Sequence, residues 1–467
     1  MRFVIPLVLL GLGSMITALD FTIVYVALPQ IARDVGFSPY SLQWVVSAYA
    51  VPFGGFLLLG GRLSDMVGRR RMFVLGMLLY GVGSLLGGLA TSPGLLICAR
   101  AVQGLGGAVL MPATLSLVVT MFDEGPARNR AMTVWAVCGA SGLSLGALLG
   151  GLLTGAFGWP AVFFVNVPLT TAGAVAAFAV LTPDAVRRVG GFDLPGALTG
   201  TAGITGLVFA IAHGAEQGWA SAGAVASFAA AAALLAAFLT IEARSRNPLM
   251  PLRLLANRHT SAAAGAILVY GLTLQCVPYF LTLHFQDVLG YDAMRSGLAF
   301  LGPTLGITAG NLLSERLIPR LGLRGTMILS VLVGVAGTVV LALSLSVGGS
   351  YAGLLAGLLG FGLGAGLSFN TMFIVAATGV APHEQGAVSG LASTVLQAGS
   401  SAGLAIMVAV ADRDLTRLTG EAVRAATVDG LRSAIFVAAA IAVTGVLAAL
   451  ALPRAARLSS ESEMVRR

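Results

Sequence analysis

The chain has 467 residues, of which 57% are hydrophobic and 10% charged, with a mean hydropathy of +0.92. A soluble domain carries about 25% charged residues, so the composition excludes a soluble enzyme, a disordered chain and a nucleic-acid binder. All 27 basic residues are arginine, set against 19 acidic residues for a net charge of +8, and they fall mainly in short loops, where they set topology rather than bind polyanions.

Apolar runs of spanning length recur throughout, each near the ~20 residues that a helix needs to cross a bilayer. The first, near 4–30, begins like a secretory leader but continues through Asp20 without a convincing cleavage site, so it reads as a span. Spans 2 to 7 follow near 41–61, 72–91, 94–121, 131–156, 160–181 and 194–213. Spans 8 to 14 follow near 220–241, 259–286, 296–314, 325–346, 351–379, 386–410 and 431–452. With the N-terminus inside, the inner loops and ends hold 20 arginines and the outer ones six, which predicts fourteen spans with both termini cytoplasmic. Cys98, Cys138 and Cys276 lie in apolar runs without metal-ligand spacing and read as buried packing residues. His213 and Glu216 read as loop residues.

The longest inner loops bracket spans 7 and 8. The expected class is an all-α membrane protein, with a six-helix bundle over 1–182 and a linker with two extra spans over 183–245. A second six-helix bundle follows over 246–453, then a tail over 454–467. A weak repeat supports this division: Gly68-Arg69 after span 2 matches Gly322-Leu323-Arg324 after span 10. Two related halves with a site between them near mid-membrane are a transporter architecture.

Asp20 is the one acidic residue well inside a span, and Arg100 the one comparably deep base. Either is costly in lipid, so both should face a bundle interior or a wet cavity. Asp20 lies about 15 Å and Arg100 about 9 Å from the outer ends of their helices, depths that permit a pair. Such a carboxyl group suits proton carriage, because burial favours its neutral form and a guanidinium its charged one. A purely structural tie between spans 1 and 4 fits the same residues. Thr17 is placed to hydrogen-bond Asp20, while Gln103 and Gly104 share the face of Arg100. Gly142, Gly146 and Gly150 form a small-residue stripe along span 5, suited to close packing or to a hinge.

Three stretches together resemble the major facilitator superfamily, and within it the fourteen-helix drug:proton antiporters. They are LDFTIVYVALP from Leu19, GRLSDMVGRR from Gly61, and ARAVQGLGGAVLMPATLSLV from Ala99. The second departs from the family at Met66, where a basic residue is usual. Span 5 departs at Ala147, which replaces the proline of the antiport marker ahead of Gly150-Gly151, and the Arg usual after Trp159 is missing. The resemblance implies proton coupling through Asp20 and Arg100. It also implies a gate in which Gly61 and Gly68 shape the loop, Asp65 docks on a helix terminus such as that after Pro382, and Arg69 pairs with Asp123 or Glu124.

An apolar, aromatic substrate cavity is expected from Trp44, Tyr49, Gln103, Tyr270, Gln275, Tyr279, Phe369, Asn370 and Phe373. His284, Gln286 and Asp287 end span 9 near the outer mouth, as gate or as interfacial residues. No nucleophile triad, nucleotide loop or metal cluster stands in the sequence, so neither enzyme activity nor a cofactor is expected, the proton gradient being the energy source. The reading is a bacterial multidrug exporter, expected to be monomeric in the cytoplasmic membrane, whose partners are protons, lipid and small amphipathic organic compounds. Its rivals are an exporter of one metabolite or antibiotic, a proton-coupled uptake symporter kept open by Ala147, and a non-transporting membrane sensor.

Overall fold

The computed structural model describes residues 4–122, 126–181, 193–245, 248, 254, 256–380, 385–412 and 420–452. Among these there is no strand. In hydrocarbon each backbone polar group must be satisfied within the protein, and continuous apolar runs of about 20 residues do this as helices.

The helices are α1 (Val4–Val35), α2 (Pro39–Leu42), α3 (Trp44–Val67), α4 (Arg69–Gly88), α5 (Pro93–Met121) and α6 (Pro126–Phe157). Next come α7 (Ala161–Phe164), α8 (Asn166–Val180), α9 (Leu194–Gln217), α10 (Ala222–Arg244), α11 (Arg258–Leu272) and α12 (Val277–Leu283). The last are α13 (Ala293–Ala299), α14 (Leu301–Ser344), α15 (Tyr351–Ala377), α16 (Gln385–Ala411), α17 (Glu421–Val443) and α18 (Gly445–Ala451). Among the described residues, 11 helical segments are long and apolar enough to cross a membrane.

Several expected boundaries move. Helix α1 runs through Pro29 to Val35, beyond the expected end near 30. Span 6 is divided into α7 and α8 at Val165. Span 9 is interrupted at Thr273 (φ −127°, ψ −87°), resumes as α12, and ends in a π-turn over His284–Val288. Spans 10 and 11 are joined in α14, where Gly322 alone leaves helical dihedrals (φ 71°, ψ 170°). Gly68, its partner in the sequence repeat, joins α3 to α4 with φ 107° and ψ 133°. Both glycines make a one-residue turn in a region that L side chains avoid. His213 and Glu216 fall within α9, not in a loop, and the His213 ring stacks on Phe209. Of the cysteines only Cys276 is buried; Cys138 is half-buried and Cys98 is exposed on α5.

Helix α1 packs along α6, α5 along α3 and α4, and α8 against α4. Further along the chain α14 packs on α15 and α17, and α11 on α16 and α15. Helices α9 and α10 pack on each other, and α9 also reaches α3 and α16. Helix α3 meets α16, and α6 meets α13.

The glycine stripe explains the α1–α6 contact. A Cβ at Gly142 would stand 2.5 Å from the Met15 carbonyl, one at Gly146 2.5 Å from that of Leu19, and one at Gly150 2.6 Å from that of Ile23. The two backbones touch along the turns that carry Asp20. Gly151 faces the other way, where a Cβ would lie 2.6 Å from the Ala293 carbonyl at the start of α13.

Candidate functional site: a buried acid–base pair among four helices

Asp20 and Arg100 meet. Arg100 Nη1 donates to Asp20 Oδ2 in an ion pair whose residues are 0% and 2% exposed. The pair sits in a network. Arg100 Nε donates to the Val45 carbonyl at 2.8 Å, and Nη1 donates also to Gln103 Oε1 at 2.9 Å. The Gln103 amide donates to Asp20 Oδ1 at 3.4 Å and to Ser84 Oγ at 2.8 Å. Four helices thus converge: α1 brings Asp20, α3 the Val45 carbonyl, α4 Ser84, and α5 both Arg100 and Gln103.

Local sequence explains the convergence. Gln103 follows Arg100 by three residues, so both project from one face of α5. Small residues bring the backbones close enough for short side chains to reach. A Cβ at Gly83 would meet the Gln103 backbone nitrogen at 2.7 Å, and one at Gly106 would meet that of Tyr80 at 2.6 Å.

Aromatic rings wall the pair. The Arg100 guanidinium lies 4.5 Å from the Tyr49 ring centroid and 6.0 Å from that of Phe163. Tyr49 stacks on Phe53 at 5.7 Å and meets Phe21 edge-on at 5.1 Å. A cation over an aromatic face is attracted to it, more strongly once desolvated. The site therefore holds its positive charge by a carboxylate, two amide or peptide oxygens and a ring face.

Thr17 does not join, a correction to the sequence expectation. Its hydroxyl donates to the Ser14 and Gly13 carbonyls at 2.9 and 3.2 Å, the back-bonding that helical Thr favours. Sequence reasoning also missed Ser84 and the Val45 carbonyl. Ser84 is one of three hydroxyl residues, with Tyr80 and Thr91, in the apolar run of span 3 and offered a weak signal; a carbonyl offers none.

The other expected residues are dispersed. Gly61 lies within α3 and Gly68 at the α3–α4 turn, with Arg69 half-buried at the first position of α4. The Asp65 side chain, Asp123, Glu124 and Pro382 fall outside the described residues. Tyr270 on α11 meets Phe369 on α15 edge-on at 6.0 Å, and Phe369 lies 5.0 Å from Phe373, so these three gather. The Asn370 amide donates instead to Ser314 Oγ on α14. Tyr279 is buried against Phe280, while Trp44 and Gln275 are half-buried.

Two unanticipated bonds tie distant parts of the chain: Tyr40 hydroxyl donates to Asp412 Oδ2 at 2.7 Å, and the Gln286 amide to the Val26 carbonyl at 2.7 Å. Among the described residues no group of His, Cys, Asp and Glu side chains has the arrangement of a metal site.

A multi-pass helical membrane fold with a charged pair enclosed between its spans is the architecture of a membrane transporter. The profile of the Major Facilitator Superfamily matches residues 10–404, and the chain belongs to that superfamily.

Its relatives include the puromycin resistance protein pur8 of Streptomyces alboniger, 37% identical over 94% of this chain and 88% of the relative. The cephamycin export protein CmcT of Amycolatopsis lactamdurans is 37% identical over 86% and 84%. The multidrug resistance protein Stp of Mycobacterium tuberculosis is 33% identical over 86% and 75%. Among solved structures, the POT family transporter PepTSo superposes with a TM-score of 0.69 at 16% identity, covering 96% of each chain. The human organic anion transporter MFSD10 (TETRAN) gives 0.61 at 16% identity, over 95% of this chain and 99% of that one. At such identity these structures speak to fold alone.

Proposed function

We propose that this protein is a proton-coupled exporter of antibiotics and other amphipathic drug-like compounds in the bacterial cytoplasmic membrane. The relatives named for puromycin resistance, cephamycin export and multidrug resistance support efflux as the direction, although Ala147 replaces the marker proline. The observation that carries the coupling is the buried Asp20–Arg100–Gln103 network.

The mechanism is alternating access. With Asp20 ionised, Arg100 is neutralised and the four helices are drawn together. Protonation of Asp20 leaves the guanidinium without its counter-charge, which weakens the tie among α1, α4 and α5 and frees them to rearrange. A proton taken from one side and released to the other thereby exchanges against substrate. Tyr49, beside Arg100, and the Tyr270–Phe369–Phe373 cluster offer aromatic surfaces to an amphipathic substrate.

The proposed frame has fourteen spans and both termini cytoplasmic. Its halves, 1–182 and 246–453, are joined by the linker 183–245, and the working unit is the monomer. Arg69, Asp65 and Asp123 gate the cytoplasmic side, while Tyr40–Asp412 and Gln286–Val26 close the outer side.

The test is transport in inverted vesicles under a proton gradient, with puromycin, a cephamycin, lincomycin and unrelated cationic dyes. Accumulation of several classes, each discharging the gradient, supports this reading. Movement of a single compound indicates a dedicated exporter, and no movement contradicts efflux.

A further inference from the structure

Where α3 turns into α4, a cleft of about 390 Å³ opens, and none of the residues of the Asp20–Arg100 network lines it. Its polar lining is Arg70 and Arg71; the rest includes Val67, Leu75, Leu78 and Phe178. Leu78 is 52% and Phe178 64% exposed, and Val67 and Leu75 are exposed too, which suits a wall facing acyl chains.

Three features give the polar end an unmet positive charge. Arg70 is held in place, with Nη2 donating to the Phe178 carbonyl at 2.8 Å and its guanidinium 5.1 Å from the Phe178 ring centroid. This leaves most of its donors and its full charge unspent. Arg71 is exposed, and among the described residues neither arginine has a carboxylate within ion-pair distance. Helix α4 starts at the cleft behind Gly68, which has no side chain to cap the first-turn N–H groups, so the helix dipole adds positive potential there.

We infer that this cleft seats the headgroup phosphate of an anionic phospholipid, with its acyl chains along Leu75, Leu78 and Phe178. A soluble polyanion would not use the apolar wall, and a zwitterionic lipid would not answer the two unneutralised guanidiniums. Basic clefts between membrane helices at the headgroup level bind anionic lipids in this way. The orientation proposed above enters only in naming the leaflet, the cytoplasmic one. The site itself is independent of the efflux reading.

The experiment is native mass spectrometry of the delipidated full-length protein, titrated with phosphatidylglycerol and with phosphatidylcholine of the same chain length. Wild type should retain phosphatidylglycerol in clear preference. Arg71→Gln, which removes a side chain that has no hydrogen bond among the described residues, should lower that preference about fivefold, and Arg70→Gln/Arg71→Gln should lower it by about the same factor again. Arg130→Gln, an equal loss of charge at an exposed position on α6, should change nothing. Equal retention of the two lipids would overturn the assignment, as would a preference that survives in the double variant or falls equally in Arg130→Gln. Displacement of the lipid by inorganic phosphate alone would also overturn it, leaving a simple anion site. No transport is measured, so failure here and failure of the efflux proposal are distinguishable.

Discussion

At the scale of single residues, the enclosed pair dominates. Breaking a buried ion pair by deleting one partner costs about 3–5 kcal/mol, because the other charge stays buried and uncompensated. Arg100→Ala should therefore lower the thermal unfolding midpoint in detergent sharply. The double variant Asp20→Asn/Arg100→Gln should lose less than the two single changes summed, with a coupling of about 1–3 kcal/mol. Additive losses would mean that the side chains do not communicate. The pair was legible in the sequence because a lone acid and a lone base in apolar spans have few ways to be satisfied other than by each other. Gln103 was legible from helical spacing. Ser84 and the Val45 carbonyl were not, since they reach the network through the packing of α3 and α4 on α5, which no local pattern encodes. Thr17 misled because its spacing allowed a bond to Asp20, while its own helix offered carbonyls nearer.

At the scale of helices, the glycines of α6 decide how closely α1 approaches. Gly146→Leu would drive side-chain atoms into the Leu19 carbonyl and separate the turn bearing Asp20 from its neighbours. The expected result is loss of proton-driven transport with the protein still inserted, read by vesicle transport beside size-exclusion chromatography. Gly155→Ala, where a Cβ meets only the Met294 nitrogen at 3.9 Å, should behave as wild type. If Gly146→Leu also transports normally, the stripe has no role in placing Asp20. Period and length sufficed to predict most helices, and the repeat of Gly68 and Gly322 foretold two turns of like geometry. The interruption at Thr273 and the π-turn at His284 escaped, because both lie within an unbroken apolar run and depend on the helices packed around them.

At the scale of the whole molecule, the bonds Tyr40–Asp412 and Gln286–Val26 join segments hundreds of positions apart at the proposed outer face. The Tyr40–Asp412 bond is exposed, and an exposed contact to a charged group contributes about 0.5–1 kcal/mol. Tyr40→Phe should thus shift the population toward the outward-open state by roughly two- to fivefold. The check is the labelling rate, by an impermeant thiol reagent, of a cysteine placed at Tyr270 in a chain lacking Cys98, Cys138 and Cys276. An unchanged rate would remove Tyr40 from the gate. Membership of the superfamily was legible from three motifs. The partners across the outer face were not, since they are set by how distant parts of the chain meet.

In the mechanism proposed above, protonation of Asp20 drives the exchange, and the decisive experiment uses purified protein in liposomes with an imposed proton gradient. Asp20→Asn preserves side-chain shape, can still accept from Arg100, and cannot cycle a proton. The variant should lose uphill, gradient-driven substrate movement but retain substrate counterflow without a gradient. Undiminished uphill transport by Asp20→Asn would contradict the proposed mechanism.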